Sequence, residues 1–331
     1  MILVKAPYRI SLFGGGTDYT NFILKNGIGL CIGFAIDKYS YVSVRELPPF
    51  FKHKTRVAYS KIELVNYNSD IEHDGIRNAL TYMRLLDANI EISHNSDLPS
   101  KTGLGTSSAF LVALVKALYD FKGFSNIRWI TLGVTASNIE QLYSCVGLQD
   151  HLFSSLGGCG EINFTSLDDR TGIRKINYIK YNQKYYDLFE QNGLLFFTGD
   201  QRCASDIVST YINNIPNNNA QKEILEKACE VSVDIISMQA DVYKLGEALN
   251  DVWYLKKKVS KNISNARIDT IYDAAINAGA LGGKLLGAGG GGCLFFLAEP
   301  KNHQNIIAAC LNMGCIHIPY KISENGCERI I

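Results

Sequence analysis

Three glycine-rich segments and two separate acids are the parts of this 331-residue sequence that could carry out chemistry. The segment from Pro99 to Ala109 places Gly103 and Gly105 before three consecutive hydroxyl residues, Thr106 to Ser108. Glycine lets the backbone approach a ligand closely, and the free N–H groups at a helix N-terminus attract anions. A hydroxyl group at this place can also ligate Mg²⁺. The pattern predicts a phosphate-binding loop, and the alternative is a hydroxyl that only caps the helix.

The second glycine-rich segment runs from Lys284 to Gly292 and contains the spacing G-x-G-x-x-G. A dinucleotide-binding loop follows a strand, precedes a helix and has an acid about 20 residues later. Here the predicted order is helix, loop, strand, and residues 309–315 contain no acid. The pattern therefore argues against a dinucleotide-dependent oxidoreductase. It leaves open a loop whose backbone packs against a ligand or another loop, and a tight helix-to-strand turn.

The third segment, Arg9 to Tyr19, is a predicted strand that ends in three glycines followed by Thr17 and Asp18. The Asp18 carboxylate is of a type that accepts hydrogen bonds from ligand hydroxyl groups. Arg9 lies in an apolar strand, where an unpaired charge is costly. We therefore expect an anionic group opposite Arg9, unless the strand exposes it to solvent.

The two acids are Glu140, on a helix predicted over 131–145, and Asp150, just after the glycine that closes this helix. Gly147 to Asp150 breaks the helical pattern and presents Asp150 at the start of the next element. This position suggests a catalytic carboxylate that pairs with Arg9. An N-cap role for Asp150 fits the same position.

The elements that must position these residues alternate irregularly between strand and helix, which predicts an α+β protein without repeats. The pattern of apolar and polar residues changes after about residue 170. This change predicts an N-terminal domain over 1–170 and a C-terminal domain over 171–331. Predicted strands cover 2–5, 9–13, 39–45, 90–94, 194–197, 293–297 and 315–322, and predicted helices cover 73–89, 109–121, 131–145, 220–258, 268–278 and 302–313.

Composition excludes several classes of function. The net charge of +1 and the lack of a long basic run argue against nucleic acid or an anionic membrane as a partner. No apolar stretch reaches the roughly 20 residues of a membrane span, and the N-terminal residues lack the pattern of a signal peptide. The 9 cysteines are scattered singly, which indicates a reducing cytoplasm, and the 6 scattered histidines give no zinc-site spacing.

Together, the three segments resemble the motifs of the GHMP small-molecule kinases. Pro99 to Ala109 resembles P-x-x-x-G-L-G-S-S-A with Thr106 at the first Ser, and Lys284 to Cys293 resembles K-L-T-G-A-G-G-G-G-C with Leu286 at the Thr. The heptose 7-phosphate kinases of this family show further similar segments. These correspond here to Arg9 to Asp18, Gly147 to Asp150, Thr198 to Arg202 and Trp253 to Lys257.

The resemblance implies a fold and an activity. The family fold has an N-terminal β-α lobe with a left-handed crossover, a ferredoxin-like C-terminal lobe, and the active site between them. The implied reaction moves the γ-phosphoryl group of ATP, with Mg²⁺, to the anomeric hydroxyl of a manno-configured heptose 7-phosphate. Galactokinases read G-E-H-T-D-Y where this chain has Gly14 to Tyr19, so the Glu and His that bind sugar hydroxyls there are absent. This departure argues against galactose.

The resemblance also implies site residues. The catalytic pair would be Asp150 and Arg9, and Mg²⁺ would be held by Ser107 and Glu140. ATP phosphates would lie on Gly103, Leu104, Gly105, Thr106, Ser107 and Ser108. The sugar would contact Gly16, Thr17, Asp18, Gln149, Arg202, Gly287, Ala288, Gly289 and Gly290.

The phosphate of the sugar is assigned first to Arg202, with Lys101 as the weaker candidate. Two alternatives remain open, another anomeric sugar kinase such as an L-fucose kinase and an inactive member that senses sugar and ATP. The retained Ser107, Glu140, Asp150 and Arg9 argue against the sensor. The expected partners are a small sugar phosphate and ATP, and the sequence leaves open whether the chain forms a homodimer.

Overall fold

A computed structural model of the chain describes residues 1–86, 88–166, 174–199 and 212–331. The described residues form one sheet of eight strands, a second sheet of four strands, and helices packed on both. The strands are β1 Ile2–Phe13, β2 Ile28–Glu46, β3 Thr55–Ala58, β4 Ile62–Val65, β5 Ile90–Ser96, β6 Cys159–Ser166, β7 Arg174–Lys180, β8 Gly193–Phe197, β9 Gly282–Leu285, β10 Cys293–Leu297, β11 Ile316–His317 and β12 Glu328–Arg329.

The described helices connect these strands and cover the sheets. They are α1 Thr20–Asn26, α2 Asp74–Tyr82, α3 Thr106–Phe121, α4 Trp129–Glu140, α5 Gln149–Leu156, α6 Gln183–Asn192, α7 Asn219–Ile236, α8 Val242–Val259, α9 Ala266–Asn277 and α10 His303–Asn312. Short 3₁₀ turns occur at Asn68–Asp70, Ile212–Asn217 and Pro300–Asn302.

The eight-stranded sheet is built around β2, which is 19 residues long and pairs with β1 along one edge. On its other edge, residues 28–34 pair with β6 and residues 40–46 pair with β5. The predicted strands 2–5 and 9–13 form one continuous β1. Pro7 interrupts the sequence pattern, and the register with β2 shifts between Pro7 and Tyr8. A bulge tolerates proline because proline has no backbone N–H to donate to the ladder.

Helix α3 lies against β1 and β2 and forms the centre of the main core. Its residues 109–115 are all buried, which explains why this stretch is apolar around the whole helix rather than on one face. The first turn of α3 therefore has a fixed position relative to the carboxyl-terminal half of β1, where Arg9 lies.

The four-stranded sheet has the order β11-β8-β10-β9, and its pairs are antiparallel. Its apolar face packs on α8 and α9 through large aromatic side chains, among them Phe196, Trp253, Tyr272 and Phe296. Helix α8 also contacts β9 directly, which places the second half of α8 beside the glycine-rich loop that follows β9.

Several element predictions were wrong. The helix predicted over 73–89 ends at Tyr82, just before Arg84 adopts a left-handed φ of 55°, and the strand predicted over 315–322 covers only Ile316–His317. The helix predicted over 220–258 is two helices, because Met238 adopts a left-handed backbone with φ 63° and the Asp241 side chain accepts the N–H of Lys244 as the cap of α8. The helix predicted over 131–145 ends at Glu140. The loop at 286–292 joins two antiparallel strands, β9 and β10, and not a helix to a strand.

The α+β class predicted from the sequence is confirmed. The domain boundary near residue 170 stays a prediction, since residues 167–173 lie outside the described part of the chain. The larger sheet includes β7 and β12, so it draws strands from both sides of that boundary. None of the helices in the described ranges has the length and apolar character needed to cross a membrane.

Candidate active site

Most of the predicted site residues that the structure describes line a cleft of about 980 Å³. Its walls come from the loop Gly14–Gly16, the start of α3, the start of α5, the helices α7 and α8, and the loop after β9. Residues far apart in the chain thus meet at one place, which the spacing of the motifs alone did not require.

The predicted phosphate loop ends at Gly105, which is the residue before α3 and adopts φ 70°. Gly103 also has a left-handed φ of 78°, so both glycines take a conformation that other residues rarely adopt. Among the described residues no side chain caps α3, and its first turn contains no acid. The alternative that Thr106 or Ser107 caps the helix is therefore wrong, and the N–H groups of the first turn are available to an anion.

Arg9 and Asp150 form a bidentate ion pair at the floor of the cleft. Arg9 Nε donates to Asp150 Oδ1 at 2.8 Å, and Nη2 donates to Oδ2 at 2.6 Å. A third donor, Nη1, reaches the carbonyl oxygen of Gly103 at 2.8 Å, and the Leu104 carbonyl accepts the backbone N–H of Arg9. The Arg9 side chain is only 4% exposed, whereas that of Asp150 is 27% exposed. Arg9 therefore fixes the carboxylate in place and ties it to the phosphate loop.

Asp150 lies in the first turn of α5 and does not cap that helix, whose N-cap residue is Leu148. The N-cap alternative for Asp150 is therefore wrong. Its carboxylate faces the cleft and not its own helix end, as the catalytic interpretation requires.

Glu140 lies at the end of α4 and joins the phosphate loop through two hydroxyl groups. Ser107 Oγ donates to Oε1 at 2.6 Å and Ser108 Oγ donates to Oε2 at 2.9 Å, while His151 Nε2 lies 2.6 Å from Oε2. Burial alone would raise the pKa of Glu140, but the imidazole and the two hydroxyl groups together hold that pKa below its ordinary value. The carboxylate is thus held ionised beside the loop.

Asp18 is buried and supports the start of α5. Its carboxylate accepts the backbone N–H of Gln149 at 3.0 Å, the Gln149 amide at 3.1 Å and the N–H of Gly16 at 3.1 Å. Ser11 Oγ donates to the other end of the Gln149 amide at 2.7 Å. Burial raises the pKa of Asp18, and the negative charge of Asp150 adds to the increase. Asp18 and Gln149 border the cleft, but their described bonds connect the first loop to the start of α5.

Not every predicted sugar contact reaches the cleft. Thr17 is fully buried, and its hydroxyl bonds the carbonyl groups of Gly14 and Leu30, so it fastens the first loop to β2. Gly289 and Gly290 pack against Ile263, which accepts the N–H of Gly290. Gly16, Gly287 and Ala288 line the cleft.

The loop after β9 contacts the phosphate loop backbone to backbone. A Cβ atom on Gly287 would lie 2.6 Å from the Cα atom of Gly103, a distance that real side chains do not reach. The backbone N–H of Cys293 donates to the Thr102 carbonyl at 2.8 Å. Of the two interpretations left open for this loop, packing against another loop is the one observed, and it explains the glycines.

Several cleft residues were missed by the sequence analysis. The Gln221 amide donates to the Gly15 carbonyl at 3.0 Å and covers the first loop from α7. Lys256 donates to the carbonyl groups of Leu285 and Gly287, and the nearly buried Lys284 donates to the carbonyl of Leu12. The resemblance did include the segments that contain both lysines, but it gave neither lysine a role.

One arm of the cleft is lined by aromatic rings. Tyr59 packs edge-on against His73 at 4.9 Å, and Phe110 lies 5.1 Å from His73 and 4.5 Å from His94 between ring centroids. Burial lowers the pKa of His94 to about 4 and also lowers the pKa of His73. Both imidazoles are therefore neutral near pH 7, and this arm presents an uncharged aromatic surface.

Of the two residues considered for a sugar phosphate, Arg202 lies outside the described residues. Lys101 is exposed at the rim of the cleft, with a left-handed φ of 64°. Within the described ranges, no group of three or more His, Cys, Asp or Glu side chains could hold a metal ion.

Comparison with known proteins supports a single family. A protein of Campylobacter jejuni named D-glycero-alpha-D-manno-heptose 7-phosphate kinase is 27% identical, over 93% of this chain and 92% of its own length. A mevalonate kinase of Thermococcus onnurineus is 26% identical, over 90% of this chain and 81% of its own length. A solved D-glycero-D-manno-heptose 1-phosphate kinase from Bacteroides thetaiotaomicron superimposes with a TM-score of 0.76 at 23% identity, covering 100% of this chain and 99% of that one.

The structural likeness shows that the fold is shared. Residues 62–158 match the family model described as the GHMP kinases N terminal domain, and residues 236–315 match the one described as GHMP kinases C terminal. The chain therefore belongs to the GHMP kinases, which use ATP as the phosphoryl donor.

Proposed function

We propose that this kinase phosphorylates a sugar, and specifically transfers the γ-phosphoryl group of ATP to the anomeric hydroxyl of D-glycero-D-manno-heptose 7-phosphate. The product would be the 1,7-bisphosphate. The observation that carries the proposal is the Arg9–Asp150 pair, which lies directly beside an uncapped helix N-terminus in one cleft. The similarity to the Campylobacter jejuni protein supports the choice of sugar.

In this proposal Asp150 orients the acceptor hydroxyl and accepts its proton. Each Asp150 oxygen accepts one N–H from Arg9, which leaves a second lone pair on each oxygen for the substrate. Proton acceptance by a positioned carboxylate typically contributes 10²–10⁴-fold in rate. The free N–H groups of Arg9 would face the charge that develops on the transferred group, since phosphoryl transfer depends mainly on placement and charge neutralisation.

The nucleotide would bind across the start of α3. Its phosphates would accept hydrogen bonds from the N–H groups of Gly105 to Ser108, as anions do at other helix N-termini. The neutral rings of Tyr59, His73, His94 and Phe110 offer a stacking surface for an uncharged base. In this proposal the aromatic arm is the donor side of the cleft, and the acceptor sugar binds on the other side of Asp150.

The chemistry of Ser107 and Glu140 fits Mg²⁺. Mg²⁺ prefers hard oxygen ligands and is usually held by one or two carboxylates together with substrate phosphates, so a larger protein ligand set is unnecessary. Glu140 is held ionised and lies within hydrogen-bond distance of Ser107 beside the phosphate loop. When bound there, Mg²⁺ would neutralise part of the phosphate charge.

An assay of ADP release tests the proposal. The purified chain with ATP and Mg²⁺ is offered heptose 7-phosphate, the same heptose without phosphate, L-fucose, D-galactose and mevalonate. We expect kcat/KM for heptose 7-phosphate to exceed that of each other acceptor by at least about 10-fold. The product is identified as the 1,7-bisphosphate by the phosphorus coupling of its anomeric proton.

The control is Asp150→Ala, which should bind ATP and release little ADP. A preference for L-fucose would favour the other anomeric sugar kinase and contradict the heptose assignment. No turnover of any acceptor, with tight ATP binding, would favour the inactive sensor.

A further inference from the structure

Two lysines in the acceptor side of the cleft lack a carboxylate partner among the described residues. Lys284 of β9 is 3% exposed, and Lys256 of α8 lines the same wall. Their described bonds go to backbone carbonyl groups only, at 2.8 Å from Lys284 to Leu12 and at 2.8 and 2.6 Å from Lys256 to Leu285 and Gly287. An ammonium group has three donors, so Lys256 keeps one donor and Lys284 keeps two.

Both lysines lie near Arg9, whose charge is paired with the Asp150 carboxylate. Lys284 faces Arg9 of β1, Cys31 of β2 and Lys256 of α8. Burial is the main factor that lowers the pKa of Lys284, to about 7, and the charge of Arg9 lowers it further. Burial also lowers the pKa of Lys256 well below its ordinary value, helped by Lys284 and Arg9. Buried unpaired charge is costly, so a site of this kind is stabilised when an anion enters.

The position of the lysines indicates which anion enters. Lys284 binds the carbonyl of Leu12, two residues before the loop Gly14–Gly16, and Gln221 covers that loop from α7. The aromatic arm is formed by other elements, namely the segment after β3, the start of α2, β5 and α3. The lysine wall therefore lies with the acceptor-side residues and not with those of the nucleotide base.

We propose that Lys256 and Lys284 form an anion subsite that binds the phosphate already carried by the acceptor sugar. The identity of the natural ligand rests on the proposed function, whereas the existence of the anion subsite does not. Arg202, favoured for this phosphate on sequence grounds, lies outside the described residues and is not part of this proposal.

Inorganic phosphate tests the subsite without any assumption about the sugar. The chain is first saturated with Mg²⁺ and a non-hydrolysable ATP analogue, which fills the phosphate loop, and phosphate binding is then measured by calorimetry. The variants are Lys256→Gln and Lys284→Gln, since glutamine keeps an N–H donor for the carbonyl groups but removes the charge. We expect each variant to bind phosphate at least about 10-fold more weakly, which corresponds to about 1.4 kcal/mol.

The matched control is Lys257→Gln, which removes the same charge from the same helix. Lys257 pairs with Asp269 and lies over the Trp253 ring, away from the other two lysines, so its variant should bind phosphate like the wild type. Wild-type affinity in both Lys256→Gln and Lys284→Gln would overturn the proposal, and so would an absence of phosphate binding to the wild type. Thermal unfolding of each variant verifies that it is folded.

Steady-state kinetics then test whether the phosphate of the acceptor sugar is the natural ligand of the subsite. For heptose 7-phosphate, each glutamine variant should raise KM by about 10- to 100-fold, as expected for a partly buried charge-assisted phosphate contact. For the unphosphorylated heptose, KM should change by less than about 3-fold, the range of context effects. Equal losses on both sugars would overturn the proposal, because they would place the lysines on the transferred group or in the fold.

The two experiments separate the proposals. If inorganic phosphate binding depends on the lysines but heptose 7-phosphate is not a substrate, the subsite stands and the proposed function fails. If heptose 7-phosphate is a good substrate and the variants retain the wild-type preference for it, the function stands and the subsite proposal fails.

Discussion

Removal of the Asp150 carboxylate should abolish most of the activity and also leave Arg9 buried without its counter-ion. Asp150→Ala deletes two charge-assisted hydrogen bonds at 2.8 and 2.6 Å. Of the described bonds made by the Arg9 side chain, only the one to the Gly103 carbonyl remains. We expect kcat to fall by at least about 10²-fold, or about 2.7 kcal/mol in activation free energy, if Asp150 acts as base or orienting group. ATP affinity should stay within about 2-fold, since Asp150 faces the acceptor.

The loss of stability can be estimated from the same contacts. Breaking a buried ion pair from one side typically costs about 3–5 kcal/mol. Asp150 is 27% exposed, so water can partly solvate Arg9 in the variant, and we expect a loss of about 2–3 kcal/mol in the free energy of unfolding. A domain stability of about 5–15 kcal/mol leaves the variant folded.

Asp150→Asn separates chemistry from stability, because it keeps one acceptor oxygen for Arg9 but is not a base. It should recover part of the lost stability, measured by urea unfolding, while kcat in the ADP-release assay stays near that of Asp150→Ala. Since the two residues act as one unit, Arg9→Met combined with Asp150→Ala should lose little more activity than either single change. Near-wild-type kcat in Asp150→Asn, or fully additive losses in the double variant, would refute this reasoning.

Four further predictions concern other parts of the cleft. Glu140→Gln should raise the Mg²⁺ concentration for half-maximal activity by about 10-fold or more with little change in melting temperature. If the variant shows the same Mg²⁺ dependence as the wild type, Glu140 has a structural role only. Arg202→Ala should raise KM for heptose 7-phosphate by about 10- to 100-fold and leave KM for ATP unchanged in the same kinetic assay. Gly287→Ala forces a Cβ atom to 2.6 Å from the Gly103 Cα atom. Titration calorimetry should therefore detect weaker ATP binding, and scanning calorimetry should detect a lower melting temperature. Because Lys284 loses its proton as pH rises through about 7, inorganic phosphate binding should weaken from pH 7 to 9 and be accompanied by proton uptake. Calorimetry in buffers of different ionisation enthalpy measures this uptake, which should be smaller in Lys284→Gln, where only Lys256 keeps a lowered pKa.

The sequence predicted the parts of the site that depend on local chemistry. Two glycines followed by three hydroxyl residues predicted the phosphate loop, and the cost of an unpaired charge in an apolar strand predicted an anionic partner for Arg9. The anionic partner is observed, since Asp150 binds Arg9, whereas phosphate binding by the loop before α3 stays a prediction. The start of the helix was placed at Ala109, three residues late, because hydroxyl residues are as common in caps as in first turns.

The remaining parts depend on contacts between distant segments. Strand β9 was missed because its four residues, Gly282–Leu285, begin with two glycines and have little strand propensity of their own. Lys256 and Gln221 gave no local signal. Each reaches the cleft only after helices α7 and α8 dock against β1. The assignment of Thr17 to the sugar failed for the opposite reason, because a hydroxyl beside three glycines can satisfy backbone groups as readily as a ligand.

Hydrogen bonds between the N-terminal and C-terminal parts of the chain also determine when a newly synthesised chain can become active. Lys284 donates to Leu12 and Cys293 donates to Thr102, so the first loop and the phosphate loop gain their final support from residues about 270 and 190 positions later in the chain. Long-range contacts of this kind form late in folding. The core around α3 also includes Cys293, Phe295 and Leu297 of β10, so an N-terminal segment alone completes neither this core nor its binding loops. Once both parts of the chain are present, a ligand that contacts both stabilises them together, so saturating ATP and sugar should raise the melting temperature.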